Sequence, residues 1–102
     1  MPSVDFRMLT ANLLVKIGEY KKSVKILDSI IQEEDEHLEA WFLLAQNLCH
    51  LKKFDSAKEC LKNIELLVKK FKINEPELIK AVEDIKRKVD KGITNEQSVT
   101  SN

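Results

Sequence analysis

An internal repeat of 34 residues constrains the fold of this chain more than any other feature of its sequence. When the sequence is shifted by 34 residues, small or apolar positions carry the same residue: Ala11 with Ala45, Leu14 with Leu48, Leu27 with Leu61, and Ile30 with Ile64. A fixed period of this length is typical of proteins built from stacked copies of one supersecondary unit, none of which buries its apolar face alone. The sequence therefore predicts two repeats that pack against each other.

The pattern within each repeat predicts two amphipathic helices joined by a short turn, because apolar residues recur at steps of three and four. The four predicted helices span roughly 4–17, 20–33, 38–51 and 54–69. Gly18 suits the first turn, since glycine takes the left-handed conformation that ends a helix without a steric penalty. Lys52 is the equivalent residue of the second turn, where a lysine takes the left-handed conformation at some cost in free energy because it has a Cβ atom. The chain holds only two glycines and two prolines, too few for the tight turns of an all-β fold, so an all-α fold is predicted.

A fifth helix is predicted after Asn74. Asn74 and Glu77 have the spacing of a capping box, and Ile73 and Leu78 have that of a hydrophobic staple. A narrow apolar stripe follows, formed by Leu78, Val82, Ile85 and Val89. The last residues show no periodicity and few apolar side chains, which favours disorder. The predicted organisation is a first repeat at 4–36, a second repeat at 37–70, a capping helix at 74–91 and a disordered tail at 92–102.

Composition and charge exclude several classes of function. Lysine plus arginine and aspartate plus glutamate both total 17, so the formal net charge is +0 and a nucleic-acid-binding surface is not expected. The sequence has no run of 18 apolar residues and no signal-peptide pattern at its start, so an intracellular protein without a membrane partner is expected. Cys49 and Cys60 lack the spacing of a metal site or a disulfide framework. No metal and no cofactor is predicted.

No set of side chains in the sequence converges on catalysis. Cys49 and His50 are neighbours on a predicted helix, where adjacent side chains point about 100 degrees apart. His37 lies at the edge of an acidic run at 33–36, and Cys60 has the pattern of a small buried side chain. The chain is therefore predicted not to be an enzyme, and no catalytic residue is assigned.

The repeat resembles the tetratricopeptide family at identifiable positions. The second repeat carries the family's small and large residues at the required spacing: Trp41, Leu44, Ala45, Leu48, Phe54, Ala57, Leu61 and Ile64. The first repeat matches at Thr10, Ala11, Leu14, Gly18, Tyr20, Ser23, Leu27 and Ile30. It departs from the family at Arg7, where a tryptophan is common, and its packing is expected to be weaker there. The resemblance covers residues 4–70 and implies a helical solenoid that binds proteins.

In that family the first helix of each pair lines a concave surface that binds partner proteins. The family register implies a surface made of Asp5, Met8, Leu9, Asn12, Val15 and Lys16 from the first repeat. The second repeat adds Glu39, Phe42, Leu43, Gln46, Cys49 and His50. At equivalent positions the two repeats carry similar residues: an acid in both, methionine opposite phenylalanine, a leucine in both and an amide in both. A basic, partly apolar peptide segment is the expected ligand, because carboxylates attract cations and amides bind an extended backbone.

Over the whole chain the sequence also resembles a narrower group, the dedicated assembly chaperones of ribosomal protein L4. The segments that carry this resemblance are 4–7 with 9–11, 34–36 with 40–44, and 74–78. It implies a chaperone that captures newly made ribosomal protein L4, a basic protein, and accompanies it from the cytoplasm to pre-ribosomes in the nucleus. It also implies that the N-terminal repeats of that group are missing from this chain.

An alternative function remains beside the chaperone. The repeats could form a scaffold or adaptor subunit of a multiprotein complex, without a ligand on the concave surface. Two repeats and one helix are also fewer than the three or so that make a stable solenoid, so the chain is expected to be the end of a longer array, a truncated gene model or a self-associating fragment. A clamp for acidic heat-shock-protein tails is not expected, because Met8 and Leu43 stand where such a clamp needs lysine and asparagine.

Overall fold

The computed structural model describes the backbone from Pro2 to Thr100 and the side chains from Pro2 to Glu96. Within this range the chain forms five helices, α1 (Val4–Lys16), α2 (Tyr20–Glu33), α3 (Leu38–His50), α4 (Phe54–Lys70) and α5 (Pro76–Thr100). The described residues contain no strand, and the all-α prediction is confirmed. The first four helices begin at the predicted residues and end within one residue of the predicted ends.

Three helices end in the same kind of turn. Gly18 after α1 has a φ of 79°, Lys52 after α3 has a φ of 59°, and Lys72 after α4 has a φ of 52°. In each turn the N–H groups of this residue and of the next one donate to carbonyls of the last helical turn, at 2.8 to 3.2 Å. These bonds satisfy carbonyls that the end of a helix leaves unpaired. The turns reverse the chain, so consecutive helices lie side by side.

Each helix packs against the next one along the chain, and α5 packs against both α3 and α4. The small residues of the repeat are fully buried, as close crossing of paired helices requires: Ala11, Ser23, Ala45 and Ala57. The largest fully buried apolar side chains are Leu27, Ile30, Ile64 and Val89. They belong to one cluster to which all five helices contribute, so the two repeats and α5 share a single core.

Arg7 holds the first repeat together by hydrogen bonds where the family commonly has a tryptophan. Its side chain is buried, forms an ion pair with Glu33 and donates from Nη1 to Ser29 Oγ at 3.1 Å. Trp41, at the equivalent position of the second repeat, donates from Nε1 to the carbonyl of Asp35 at 2.7 Å. At Arg7, charge-assisted bonds to α2 take the place of the contacts of an indole ring.

The helix α5 begins close to its predicted start. It begins at Pro76, so Glu75 is the residue before the helix, one position after the predicted cap Asn74. Proline is favoured at the first position of a helix, because it has no N–H group to leave unpaired and its φ is already helical.

The end of α5 differs from the prediction. The helix continues to Thr100, where the sequence predicts a disordered tail from residue 92. Gly92 is buried against the ring of Phe54, and a Cβ atom at this position would overlap the ring. Ile93 also packs against the core. The backbone of residues 92–100 is therefore helical where the sequence predicts a disordered tail, and residues 101–102 lie outside the described residues.

Candidate protein-binding surface

The residues predicted to bind a partner lie on α1 and α3, the first helices of the two repeats, and they differ in exposure. The exposed ones are Asp5, Leu9, Glu39 and His50. The half-buried ones are Asn12, Phe42 and Gln46. Met8 and Leu43 are buried. We call the exposed and half-buried members of this set the α1/α3 surface.

Met8 and Leu43 belong to the core of the molecule. Only 6% of Met8 and 8% of Leu43 is exposed, and both side chains pack in the cluster that joins the helices. The sequence register does not reveal this, since burial at the edge of a helix face depends on how closely the neighbouring helices approach. Leu9 and Phe42 are the apolar side chains that the surface offers to a partner.

The carboxylates of the α1/α3 surface lie at one end of it. Asp5 and Glu39 are in the first turns of α1 and α3, where the helix dipole favours negative charge. The acidic run at 33–36 is partly neutralised within the chain, since Glu33 pairs with Arg7 and Glu36 pairs with Lys70. Asp5 and Glu39 are the two carboxylates that belong to the α1/α3 surface itself.

Two polar side chains of the surface are held in place by contacts within the chain. Asn12 donates from Nδ2 to the carbonyl of Met8 at 2.9 Å, which leaves its side-chain oxygen as an acceptor. His50 stacks on Tyr20, with ring centroids 4.5 Å apart and an angle of 9° between the planes. This stack joins the start of α2 to the end of α3, and the sequence analysis missed it.

A pocket of about 450 Å³ extends the surface between α3 and α5. It brings together three predicted residues of α3, namely Gln46, Cys49 and His50. Residues of α4 and α5 complete its lining: Phe54, Ile85, Lys88, Lys91, Gly92 and Asn95. The α5 residues were missed by sequence analysis, although their steps of three and four place them on one face of a helix.

The surface is therefore polarised in charge. Asp5 and Glu39 lie at the N-terminal ends of α1 and α3, and Lys88 and Lys91 lie beside the C-terminal half of α3. A segment that lies along the surface meets carboxylates at one end and ammonium groups at the other. This arrangement is able to orient a partner as well as attract it.

The two cysteines have the properties of structural side chains. Burial raises the pKa of Cys49, although Lys88 opposes the shift. Burial is the main cause that raises the pKa of Cys60 to about 12, followed by the negative charges of Asp28, of Cys49 once it ionises at alkaline pH, and of Glu59. Both thiols are protonated at neutral pH, and a protonated thiol is a poor nucleophile.

Two further results concern membrane-spanning helices and metal sites among the described residues. None of their helices is both long enough and apolar enough to span a membrane. The same residues contain no group of three histidine, cysteine or acidic side chains placed to bind a metal ion.

Comparison with known proteins places the chain in a family of repeat proteins. The family model described as "Anaphase-promoting complex, cyclosome, subunit 3" matches residues 1–64, which include α1, α2, α3 and most of α4. No curated protein and no solved structure matches the chain. The family has repeats like those of tetratricopeptide proteins, in agreement with the 34-residue period and the paired helices. The chain belongs to the family of subunit 3 of the anaphase-promoting complex, or cyclosome, and is a tetratricopeptide-like helical repeat protein.

Proposed function

We propose that the chain is a protein-binding module that holds an extended segment of a partner along the α1/α3 surface. The observation that carries the proposal is the polarised surface itself, with carboxylates at one end, Leu9 and Phe42 exposed or half-exposed between, and a lysine-lined pocket at the other end. Repeats of this family are typical of protein interaction and not of catalysis. Apolar side chains provide buried area in such a complex, while charges direct the approach of the partner.

Our narrower proposal is that the partner is basic, and specifically ribosomal protein L4, which the chain would accompany as a chaperone in the cytoplasm and nucleus. The support for it is the exposed pair Asp5 and Glu39, together with the sequence resemblance to the L4 chaperones. A basic segment would place its cationic side chains at this acidic end.

The test is titration of the whole chain with a basic extension of ribosomal protein L4, measured at low and high salt. Binding should weaken as the Debye length falls from about 10 Å at 0.1 M salt to about 3 Å at 1 M. Replacing Asp5 and Glu39 with lysine should slow association, whereas Phe42→Ala should mainly speed dissociation. Asp55→Lys is the matched control, since Asp55 is also an acid in the first turn of a helix, but on α4.

Two results would contradict this proposal. One is tighter binding of an acidic heat-shock-protein tail than of the L4 extension. The other is binding that Asp55→Lys weakens as much as the changes at Asp5 and Glu39 do.

A second candidate function is that of a scaffold subunit in a multiprotein complex. The observation that favours it is the family match, because the family is described as a subunit of a larger assembly. Affinity capture from the organism's own extract, washed at 0.1 M and 1 M salt, separates the two candidates. A scaffold should retain equimolar partners at both salt concentrations, whereas a client held by Asp5 and Glu39 should be lost at the higher one.

A further inference from the structure

The pocket between α3 and α5 carries an excess of positive charge. Lys88 and Lys91 line it, and they are three residues apart on α5, so they lie on the same face of that helix. None of the described residues that line the pocket is acidic, although 17 of the 102 residues of the chain are aspartate or glutamate. We call Lys88 and Lys91 the pocket lysines, and their surroundings favour an anionic ligand.

The pocket lysines have no carboxylate partner among the described residues. Just before them on α5, Lys86 pairs with Glu65. Arg87 pairs with Asp84, an acidic side chain close to the pocket lysines. Asp90 lines a separate depression between α4 and α5. The two charges of the pocket lysines are therefore available to an anion of a partner.

Apolar side chains form one wall of the pocket and strengthen its attraction for an anion. Ile85 is buried, and Phe54 is half-buried with its ring on Gly92. These groups exclude water from that side, and the attraction between opposite charges rises as the dielectric constant falls. Burial raises the pKa of the Cys49 thiol and the charge of Lys88 lowers it, so this ammonium group acts on atoms inside the pocket.

Neutral hydrogen-bond donors lie beside the pocket lysines. Gln46 and Asn95 carry amide groups, and His50 carries a ring N–H group. The stack on Tyr20 covers one face of the His50 ring and fixes its orientation. An anion with two or more oxygens is able to accept from these groups and from an ammonium group at once, as carboxylates and phosphoryl groups do.

The pocket lies at the opposite end of α3 from Glu39. Glu39 and His50 are eleven residues apart, or about three helical turns, so they lie on the same side of α3 and about 16 Å apart. An extended peptide covers that distance in about five residues. A segment that places a cation at Glu39 therefore reaches the pocket with a residue about five positions away.

We propose that this pocket binds an anionic side chain of the partner segment, either an acidic residue or a phosphorylated serine or threonine, between the pocket lysines. The inference rests on the proposed function, because it assigns a ligand to one end of the surface along which the partner lies. It adds that the partner carries opposite charges about five residues apart. The volume of about 450 Å³ is within the range of roughly 300–1,000 Å³ of small-ligand pockets, so it accepts the anionic side chain together with an apolar neighbour.

The test is fluorescence anisotropy of short peptides with the whole chain. Each peptide carries a dye at one end and an amide at the other, so that no terminal charge takes part, and has glutamate, phosphoserine or glutamine between two leucines. The glutamate and phosphoserine peptides should bind at least about tenfold more tightly than the glutamine peptide, because only they carry a negative charge. The tighter of these two peptides identifies the preferred group as a carboxylate or a phosphate.

Two double variants separate the pocket from the general charge of α5. Lys88→Gln with Lys91→Gln should weaken binding of the anionic peptides about tenfold, because it removes the cations that hold them. Lys80→Gln with Lys86→Gln is the matched control, since it removes the same charge from exposed positions of the same helix. It should change the affinity by less than about twofold, because exposed charges at a distance are screened. Circular dichroism should show unchanged helix content, since all four side chains are exposed.

Longer peptides separate this inference from the proposed function. A lysine added about five residues before or after the glutamate should tighten binding in at least one of the two orders, because two linked contacts act together. Asp5→Lys with Glu39→Lys should remove that gain and leave binding of the short peptides unchanged, since these are too short to reach from the pocket to either residue.

The outcomes that would contradict the two proposals differ. The anion site is overturned if the short anionic peptides bind no better than the glutamine peptide, or if both double variants weaken them equally, and the partner surface then still stands. A lysine that brings no gain in either order would instead contradict the proposed function.

Discussion

Lys52 does at the end of α3 what Gly18 does at the end of α1. Its φ of 59° lies in the left-handed region, which disfavours residues with a Cβ atom by roughly 1–2 kcal/mol. Lys52→Gly should therefore raise the free energy of unfolding by about 1 kcal/mol, even though glycine is the more flexible residue in the unfolded chain. Urea denaturation measures the difference. Lys53→Gly is the control and should not stabilise, because Lys53 has an ordinary negative φ of −94°.

Cys60 makes the folded state sensitive to alkaline pH. Its pKa is raised from 9.0 to about 12, mainly by burial, so the folded state favours the protonated thiol more strongly than the unfolded state does. This contribution to stability is complete below pH 9 and is lost as the pH rises towards 12. Between pH 9 and pH 11 the parent chain should lose more stability than Cys60→Ala, measured by urea denaturation at each pH. An equal loss in both chains would show that Cys60 makes no such contribution.

At the scale of helices, the ring of Phe54 lies on Gly92 and fixes the C-terminal part of α5. Glycine to alanine in the middle of a helix usually stabilises by up to about 1 kcal/mol. Gly92→Ala should have the opposite sign and lower the melting temperature, because the new methyl group overlaps the ring. Phe54→Leu should relieve this effect, so the double variant should lose less stability than the two single losses added together. Stabilisation by Gly92→Ala would contradict the packing of α5 on α4.

The helices differ in how far the sequence predicts them. The first four were predictable because the two repeats have the same pattern, so each helix boundary in one repeat has an equivalent in the other. Gly18 and Lys52, for example, lie in equivalent turns. The end of α5 was not predictable, because residues after 91 are mostly polar and glycine is a poor helix former. Gly92 packs against Phe54 there, and no local pattern records a contact between residues 38 positions apart in the chain.

At the scale of the whole molecule, the stack of helices brings distant charges into one polarised surface. The register predicted Asp5 and Glu39 on the first helices of the two repeats. It also predicted Met8 and Leu43 as surface residues of these helices, although both are buried. The contribution of Lys88 and Lys91 could not be derived from the register, because α5 lies outside the 34-residue repeat and its packing on α3 decides which of its residues line the pocket. The family match ends at residue 64 and likewise does not reach α5.

The central claim, that a partner segment lies along α1 and α3, is tested most directly by nuclear magnetic resonance of the labelled chain during titration with the basic extension of ribosomal protein L4. The largest shifts should occur in the side-chain amides of Asn12 and Gln46 and in the backbone around Asp5 and Glu39. The backbone of α2 and the outer residues of α4, such as Asp55 and Leu66, should change little. Shifts concentrated on α2 and α4, with Asn12 and Gln46 unchanged, would contradict the account.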